Sequence, residues 1–393
     1  MNVFIIPSWY PSTSNPIYGI FNQEQAEILA NNRPDWTIGI STWGQGDERF
    51  LLRALDWRSP LKALKKYPFE DIQLKDNLGV YFTPAFTWTR RFKKGNITGI
   101  IRANRKSLER FIVDHGKPDV ISVHAAYPGA IIGKALSQEF NIPFVVTAHM
   151  SPFPFAEFIK NGEIKRLIRE PLLQADALIA TSQSLRNKMK SFGLSNIHVL
   201  PNPVDTNYFS PSGRSASSKT IILSIGRMED QKGIDMLLWA FSKLSHNDIE
   251  LRIGGGGTQL RSYQKLAMSL GISDSVTWLG SLSKSEVLSE MQSCSFFALA
   301  SRHETFGIVL VEAMACGKPV LSTKCGGPEE IVAENVGLLC EPNEESLAQG
   351  LEEMCFKWQE FDPQQIRKIA ENKYSGAVWM KQVEELFKDV IGK

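Results

Sequence analysis

Two glutamates in ASRHETFGIVLVEAMACGKPV (300–320) form the clearest chemical pattern in this sequence. Seven residues separate Glu304 from Glu312, and Glu304 is expected in the loop after the strand FFALA. A helix is predicted to begin near Gly307, and the free N–H groups of its first turn could bind phosphate or sugar oxygens. Glu312 is the only charge in FGIVLVEAMACG, where a carboxylate is costly unless something pairs with it. Sugar or ribose hydroxyls would satisfy Glu312; the alternative is a solvated helix-face glutamate.

Two cations follow the strand predicted in ILSIGRMEDQKGID (222–235). The strand should end at Gly226, which places Arg227 and Lys232 in an exposed loop before the next helix. Two cations in such a loop can hold a diphosphate through charge-assisted hydrogen bonds. A merely solvated pair is the alternative, but ligands of open parallel sheets bind at the carboxyl ends of the strands.

Four consecutive glycines join a strand to a helix in IELRIGGGGTQLRSYQKL (249–266). Glycine lets a ligand approach the backbone closely. Gly255 and Gly257 fit the start of G-x-G-x-x-G, but Leu260 occupies the third glycine position, so support for an NAD site is weak. A tight strand-to-helix turn remains an equal alternative.

Histidines end two predicted strands of the first half. His124 lies in HAAYPGA and His149 in VVTAHMSPF, and both are expected at adjacent strand ends facing a cleft. Gly19 precedes a predicted helix, where its backbone could meet donor phosphates or an acceptor. The chain has no Asp-x-Asp, no metal-ligand spacing, no G-x-S-x-G and no P-loop, so metal-dependent phosphate binding is not predicted.

Alternating β-rich and helical segments must position these residues. The sequence predicts an α/β fold with doubly wound parallel sheets in two similar-sized halves, with a linker at 200–219 and a cleft at the strand carboxyl ends. Strands are predicted near 2–7, 36–42, 79–84, 119–124, 143–148, 176–181 and 196–200, and then near 220–226, 249–253, 275–279, 295–299, 319–323 and 336–340. Helices are predicted between most strands of the first half, for example at 21–31, 129–140 and 182–192, and between the strands of the second half. The residues from 344 to the end are helical by pattern.

Composition favours an ordinary globular protein of two domains. The chain has 393 residues, 43% of them hydrophobic and 22% charged, with a formal net charge of +2. Its five cysteines form no C-x-x-C pair, so a zinc cluster is not predicted and free thiols in the cytosol are expected. The start, MNVFIIPSWY, is not that of a signal peptide, and no apolar run is long enough to span a membrane.

Positive charge is concentrated in residues 49–106. This segment holds 14 Lys and Arg against 4 Asp and Glu, together with nine aromatic residues. The stretches RFLLRALDWRSPLKALKKYPFE (49–70) and WTRRFKK (88–94) mix cations with Trp, Phe and Leu, as segments that lie in an anionic membrane interface do. The alternative is that the leucines are core and the lysines a solvated face. Nothing in the chain resembles a nucleic-acid-binding module.

Together these segments resemble the retaining glycosyltransferases of family 4, of the type that builds bacterial polysaccharides and glycolipids. The resemblance covers nearly the whole chain, and E-x7-E with its FG and ACGKPV context is its most specific part. GIFNQEQAEILA, PDVISVHAAYPGAIIGKAL, IPFVVTAHMSPF, ADALIATSQSLRNKM, LPNPVDTNYFSP and GRMEDQKGID resemble further signatures of that family.

The resemblance implies a GT-B fold with two Rossmann-like domains facing a cleft. Residues 1–203 would bind the acceptor, residues 204–373 the nucleotide-sugar donor, and a last helix within 374–393 would cross back to the first domain. Catalytic roles would fall on Arg227, Lys232, Glu304 and His149. Donor-binding roles would fall on Gly19, Gly226, Gly255, Phe306, Gly307, Ile308 and Glu312. His124 is assigned to the acceptor side.

The activity so implied is transfer of a sugar, with retention, from a UDP- or GDP-linked donor to a hydroxyl of a lipid-linked saccharide. Neither metal nor cofactor is expected, because cations and a helix start stabilise the leaving diphosphate. We expect a cytoplasmic enzyme, peripheral on the inner membrane face through residues 49–106. Two alternatives stay open: a nucleotide-sugar epimerase or sugar phosphorylase on the same scaffold, and a non-catalytic subunit that only holds the nucleotide-sugar.

Overall fold

The computed structural model describes residues 1–53, 56–67, 69–88, 96–212, 219–244 and 248–392. The chain divides into two compact units. The first unit contains Met1–Thr181, Arg186–Leu200 and Met380–Lys393, and the second contains Ser182–Leu185 and Pro201–Trp379. The sequence predicted the changes between domains at 203/204 and 373/374.

The first unit is built on a sheet of eight strands. Its strands, with two short two-stranded ladders, are β1 (Asn2–Pro7), β2 (Thr37–Thr42), β3 (Leu51–Leu52), β4 (Glu70–Lys75), β5 (Leu78–Phe82), β6 (Thr87–Trp88), β7 (Val120–His124), β8 (Phe144–Ala148), β9 (Ile159–Lys160), β10 (Glu163–Ile164), β11 (Ala177–Ala180) and β12 (Ile197–Val199). The helices of this half are α1 (Ile20–Asn32), α2 (Arg58–Lys66), α3 (Ile97–His115), α4 (Ile131–Phe140), α5 (Arg166–Leu173) and α6 (Gln183–Ser191). The main sheet has the order β12-β11-β8-β7-β1-β2-β5-β4.

The second unit has a six-stranded sheet. Its strands are β13 (Thr220–Ile225), β14 (Ile249–Gly254), β15 (Val276–Gly280), β16 (Phe296–Leu299), β17 (Val320–Thr323) and β18 (Gly337–Cys340), in the order β15-β14-β13-β16-β17-β18. The helices that follow are α7 (Ile234–Phe241), α8 (Leu260–Ser269), α9 (Lys284–Ser293), α10 (Ile308–Ala315), α11 (Pro328–Ile331), α12 (Glu344–Lys357), α13 (Pro363–Tyr374) and α14 (Gly376–Ile391). Helix α14 belongs to the first unit from Met380 onward.

Burial on both faces explains the apolar strands of the second unit. Along β13, Ile221 and Leu223 enter one buried cluster, with residues of α10 and α13, while Ile222 enters the other, with residues of α7 and α12. Side chains alternate between the two faces of a strand, so each face needs its own apolar residues and the run becomes continuous. The doubly wound sheet predicted for this half is confirmed.

The first sheet departs from the prediction at one edge, where β4 runs antiparallel to β5. The other paired strands of this sheet are parallel, as predicted. The sequence of β4, EDIQLK, is polar and largely exposed, so it lacks the apolar run that marked the other strands. All thirteen predicted strands are present, whereas β4 and the short strands β3, β6, β9 and β10 were not predicted. No range was predicted for the helices α2, α3 and α5.

Residues 54–55, 68 and 89–95 of the basic segment lie outside the described residues, and they include Leu55, Arg90, Arg91, Phe92, Lys93 and Lys94. In the part of the chain that is described, every helix is too short or too polar to cross a bilayer.

Candidate active site

The predicted donor residues lie at the point where the second sheet changes winding direction. Strands β13 and β16 are neighbours in the sheet, although β14 and β15 lie between them in sequence. Loops that leave such a pair diverge to opposite faces and open a crevice at the carboxyl ends, where α/β proteins bind ligands. The loop after β13 carries Arg227 and Lys232, and the loop after β16 carries Glu304.

Lys232 and Glu304 form an ion pair across this crevice. The Lys232 ammonium contacts Glu304 Oε1, and Ser301 Oγ donates to the same oxygen at 2.9 Å. The side chains are 19% and 9% exposed, so the prediction of a fully exposed loop is wrong for Lys232. A half-buried pair excludes competing water and keeps both charges in place for a ligand that exchanges partners with them.

Arg227 is the more accessible cation. Its side chain is 64% exposed, and its Nη1 lies 3.2 Å from Glu229 Oε1. Exposed ion pairs of this kind contribute little free energy, so Arg227 can leave Glu229 for a phosphate at small cost.

The position of Lys232 depends on contacts between the loops after β13 and β16, which the sequence did not predict. A Cβ on Gly233, whose φ is +62°, would lie 2.0 Å from the Ala300 carbonyl oxygen. Arg302 N donates to the Gln231 carbonyl at 2.8 Å, and the Arg302 guanidinium pairs with Asp235 at 2.7 Å. The sequence feature that could have indicated this contact is Gly233, which lies between Lys232 and the start of α7 at Ile234.

Helix α10 begins at Ile308, as predicted, with Gly307 as its N-cap at a φ of +98°. Phe306 is buried, with its ring 5.7 Å from that of Tyr374, so its side chain is not available to a ligand. Ile308 and Glu312 are half-buried on α10. The loop before α10 is held by Gly327, whose N–H donates to the Glu304 carbonyl at 2.9 Å.

The consecutive glycines allow two loops to pack closely. A Cβ on Gly255 would lie 1.9 Å from the Gly226 carbonyl oxygen, and one on Gly257 would lie 2.6 Å from that of Met228. Both glycines have positive φ, at +127° and +156°. Gly255 is therefore required for packing in a tight strand-to-helix turn, which was the alternative to a ligand-binding role. Gly226 borders Lys232, since a Cβ on Gly226 would lie 3.4 Å from Lys232 Cδ.

His124 and His149 meet at the ends of the paired strands β7 and β8. His124 Nδ1 and His149 Nε2 are 3.0 Å apart, and the two rings are parallel within 3°. Burial lowers the pKa of His124 from its usual 6.5 to about 4, and burial together with His124 lowers the pKa of His149 well below that range. Both rings are therefore neutral at pH 7. His124 is 5% exposed, which leaves it little surface for an acceptor.

Gly19 caps α1, as predicted, in a left-handed conformation with a φ of +70°. A Cβ there would lie 2.4 Å from the Trp9 carbonyl carbon, so glycine is required for packing. Two residues later, the ring of Phe21 lies 5.0 Å from that of His149. Gly19 and His149 thus belong to one neighbourhood of the first unit.

Neither metal nor thiol chemistry has a visible site in the described ranges. Groups of three or more His, Cys, Asp or Glu that could hold a metal ion are absent from them. All five cysteines are free, and burial raises their thiol pKa values to about 12. Thiols with such pKa values are poor nucleophiles at neutral pH.

These two doubly wound units define the GT-B class of glycosyltransferases, and comparison with known proteins agrees. Residues 206–373 match the family described as Glycosyl transferases group 1, and residues 65–208 match Glycosyltransferase Family 4. Together the two models match residues 65–373, so this part of the chain is similar to glycosyltransferases of family 4.

Curated relatives are about 30% identical to the chain over the aligned residues. An uncharacterized glycosyltransferase of Methanocaldococcus jannaschii is 30% identical over 61% of this chain. One subunit of human phosphatidylinositol N-acetylglucosaminyltransferase is 27% identical over 71%, and N-acetyl-alpha-D-glucosaminyl L-malate synthase of Bacillus anthracis is 32% identical over 57%. The matches span 66%, 59% and 61% of the lengths of these relatives.

Solved structures with the same fold cover the chain more completely. Sucrose-phosphate synthase of Thermosynechococcus elongatus superposes with a TM-score of 0.78 over 100% of this chain and 99% of that one, at 17% identity. Anabaena HepE in complex with UDP-glucose gives 0.71 over 99% and 100%, at 18% identity. At these identities the likeness establishes the GT-B fold.

Proposed function

We propose that this protein is a retaining glycosyltransferase. It transfers a sugar from a UDP- or GDP-linked donor to a hydroxyl of a lipid-linked saccharide, in the synthesis of cell-surface polysaccharide or glycolipid. The half-buried pair of Lys232 and Glu304, at the winding change of the second sheet, is the observation that carries the proposal.

The chemistry of this pair suits a nucleotide-sugar. The donor diphosphate takes Lys232 and Arg227 as counter-charges, and this releases the Glu304 carboxylate to accept hydrogen bonds from hydroxyls of the sugar. Glu312 accepts from the ribose hydroxyls. The N–H groups at the start of α10 face oxygens of the donor, where the positive end of the helix dipole stabilises developing negative charge.

Retention follows from attack on the face of the leaving group. The acceptor oxygen bonds to the anomeric carbon as the bond from that carbon to the phosphate oxygen breaks. The hydroxyl proton passes to an oxygen of the departing diphosphate, so charge balances without a protein base. Lys232 and Arg227 stabilise the leaving diphosphate electrostatically, and neither metal ion nor cofactor takes part in this scheme.

Names of similar proteins support these substrate classes. Anabaena HepE has been solved with UDP-glucose, and a human relative is named for N-acetylglucosaminyl transfer to phosphatidylinositol. The first name is consistent with a nucleotide-sugar donor, and the second is consistent with an acceptor that contains a lipid.

Contact with an anionic membrane surface is the second part of the proposal. Trp57 is 54% exposed and Phe69 63% exposed, on either side of α2. On α2, Leu61 is 40% exposed, and the exposed cations are Arg58, Lys62, Lys65 and Lys66. Exposed aromatic and basic side chains on one short segment suit the interface of an anionic bilayer, where each cation contributes about 1 kcal/mol. The proposal places the enzyme in the cytoplasm, peripheral on the inner face of the membrane.

Thermal-shift screening of UDP- and GDP-sugars tests the donor assignment, because a ligand that binds only the folded state raises the melting temperature. At least one nucleotide-sugar should stabilise the wild type, and the shift should shrink in Lys232→Ala. Absence of a shift with every nucleotide-sugar and free nucleotide would reject the donor site.

A further inference from the structure

A cavity of about 210 Å³ lies inside the first unit, at the carboxyl ends of four neighbouring strands. Trp9 follows β1, Trp43 follows β2, Tyr127 follows β7 and Phe158 comes after β8. These strands are adjacent in the order β8-β7-β1-β2, and β1 with β7 is the pair where the winding of this sheet reverses. The cavity therefore occupies the ligand-binding position of its own sheet.

Aromatic residues are the largest group in the cavity wall. Six of the fourteen lining residues are aromatic: Trp9, Tyr18, Trp43, Tyr127, Phe155 and Phe158. The rings of Tyr127 and Phe158 are 5.0 Å apart. Tyr18 lies directly on the backbone of Gly46, where a Cβ would come within 2.3 Å of its ring. The faces of such rings carry partial negative charge and attract the partly positive C–H groups of a sugar ring.

Polar groups in the wall fall into two sets. Gln45 and Asn96 are committed to the backbone: Gln45 Nε2 donates to the Pro7 carbonyl at 3.1 Å, and Asn96 Nδ2 to that of Phe86 at 3.0 Å. Glu157 is exposed and Tyr127 is half-buried, and the Glu157 carboxylate and the Tyr127 hydroxyl have no hydrogen-bond partner among the described residues, so water satisfies Glu157 in the free protein. A ligand that can satisfy these two groups must therefore offer hydroxyls or other donors.

The charge of the wall limits the ligand further. The lining residues include one carboxylate, Glu157, and no Lys, Arg or His among those described. An anionic ring would be repelled by the Glu157 carboxylate, and a purely apolar ligand would displace water from this carboxylate without replacing its hydrogen bonds. An uncharged ring that bears hydroxyls fits both constraints.

Ring contacts join this cavity to the histidine pair. Trp9, in the cavity wall, is 6.4 Å from Phe21, and Phe21 is 5.0 Å from His149. A molecule in the cavity thus lies in the same neighbourhood of the first unit as His149.

We propose that this cavity binds one uncharged pyranose ring of the acceptor saccharide. The ring stacks between aromatic side chains, and its hydroxyls donate to the Glu157 carboxylate. This inference rests on the proposed function, because it takes the bound sugar to be the acceptor.

Saturation-transfer NMR on the full-length protein tests it. The probes are methyl pyranosides of glucose, galactose, mannose, N-acetylglucosamine and glucuronic acid, each with and without excess UDP or GDP. At least one neutral glycoside should bind, and the glucuronide should not. Binding should weaken at least tenfold in Phe158→Ala and in Glu157→Gln. Matched variants at exposed positions of the second unit, Phe356→Ala and Glu352→Gln, should bind as the wild type does.

The outcomes separate the cavity from the proposed function. If no neutral glycoside binds under either condition while UDP or GDP does, the cavity assignment is overturned and the donor site stands. If glycosides bind as expected but neither nucleotide does, the cavity stands and the transferase proposal fails. Equal binding of the glucuronide, or wild-type binding in both cavity variants, also overturns the assignment.

Discussion

His124 Nδ1 lies 3.0 Å from His149 Nε2, at the ends of two paired strands, and a single proton lies between the two nitrogens when both rings are neutral. Because His124 is buried, its ring fixes the orientation of the more accessible His149. In the proposed reaction His149 lies near the transferred sugar. His124 is then a positioning residue, which acts through His149 rather than on the substrate.

Stability should fall as the pH drops below 6.5. The folded pKa of His124, about 4, is below its unfolded value, so the unfolded chain binds a proton that the folded chain does not. The contribution is fully present above pH 6.5 and is lost toward pH 4, with about 2 kcal/mol lost between pH 8 and pH 5. Urea unfolding of His124→Gln should show a correspondingly weaker pH dependence.

His303→Gln, at an exposed position of the second unit, is the matched control substitution. An unchanged pH dependence in His124→Gln would mean that this ring titrates normally.

Loss of either donor-site cation should slow turnover. Lys232→Ala or Arg227→Ala should lower kcat by about 10²–10³, or about 2.7–4 kcal/mol, as removal of one transition-state donor does. Lys232→Ala also leaves the Glu304 carboxylate without its ion pair, so this variant should lose some stability, whereas exposed Arg227 should not. Lys368→Ala, on α13, is the matched control. Near-normal turnover in both variants would remove the diphosphate assignment.

The two glutamates should separate sugar transfer from nucleotide binding. Glu312→Gln should weaken binding of free UDP or GDP about tenfold or more, as loss of a charged hydrogen bond does. Glu304→Gln should impair transfer, yet it frees Lys232, so nucleotide affinity should stay the same or rise. Calorimetry with the free nucleotide measures the nucleotide affinity of both variants, and an activity assay measures sugar transfer. Unchanged affinity in Glu312→Gln would refute its ribose role.

Sequence patterns were sufficient for the buried strands of both sheets and for the start of α10, because buried strands and glycine caps leave local signals. The alternation of apolar runs predicted every strand that carries a site residue, and Gly307 marked the helix start. Contacts between distant residues left no such signal. The Lys232–Glu304 pair joins positions 72 residues apart, and no periodicity specifies which loops meet.

The same limit explains why the aromatic cavity was not predicted. Trp9, Trp43 and Tyr127 are far apart in sequence and come together only because β1, β2 and β7 are neighbours in the sheet. The polar strand β4 was missed for the opposite reason, since an exposed edge strand carries no apolar run.

Membrane binding should depend on the cations of α2. Sedimentation with anionic liposomes should show binding that falls as salt rises, and replacement of Lys62, Lys65 and Lys66 by Glu should abolish it while nucleotide affinity is kept. Replacement by Glu of three lysines of the second unit, Lys357, Lys368 and Lys373, changes the net charge equally. This control should leave liposome binding unchanged. Equal binding to neutral and anionic liposomes would favour a soluble acceptor instead.

The anomeric configuration of the first product formed tests the central proposal most directly. Each α-linked UDP- and GDP-sugar is incubated with the protein in excess EDTA, with saccharide acceptors or with water alone, and followed by proton NMR. We predict that at least one donor is consumed, that the α-anomer appears first, and that the rate falls at least about 100-fold in Lys232→Ala. Initial release of the β-anomer, consumption only after Mg²⁺ or Mn²⁺ is added, or no consumption of any donor would contradict the account.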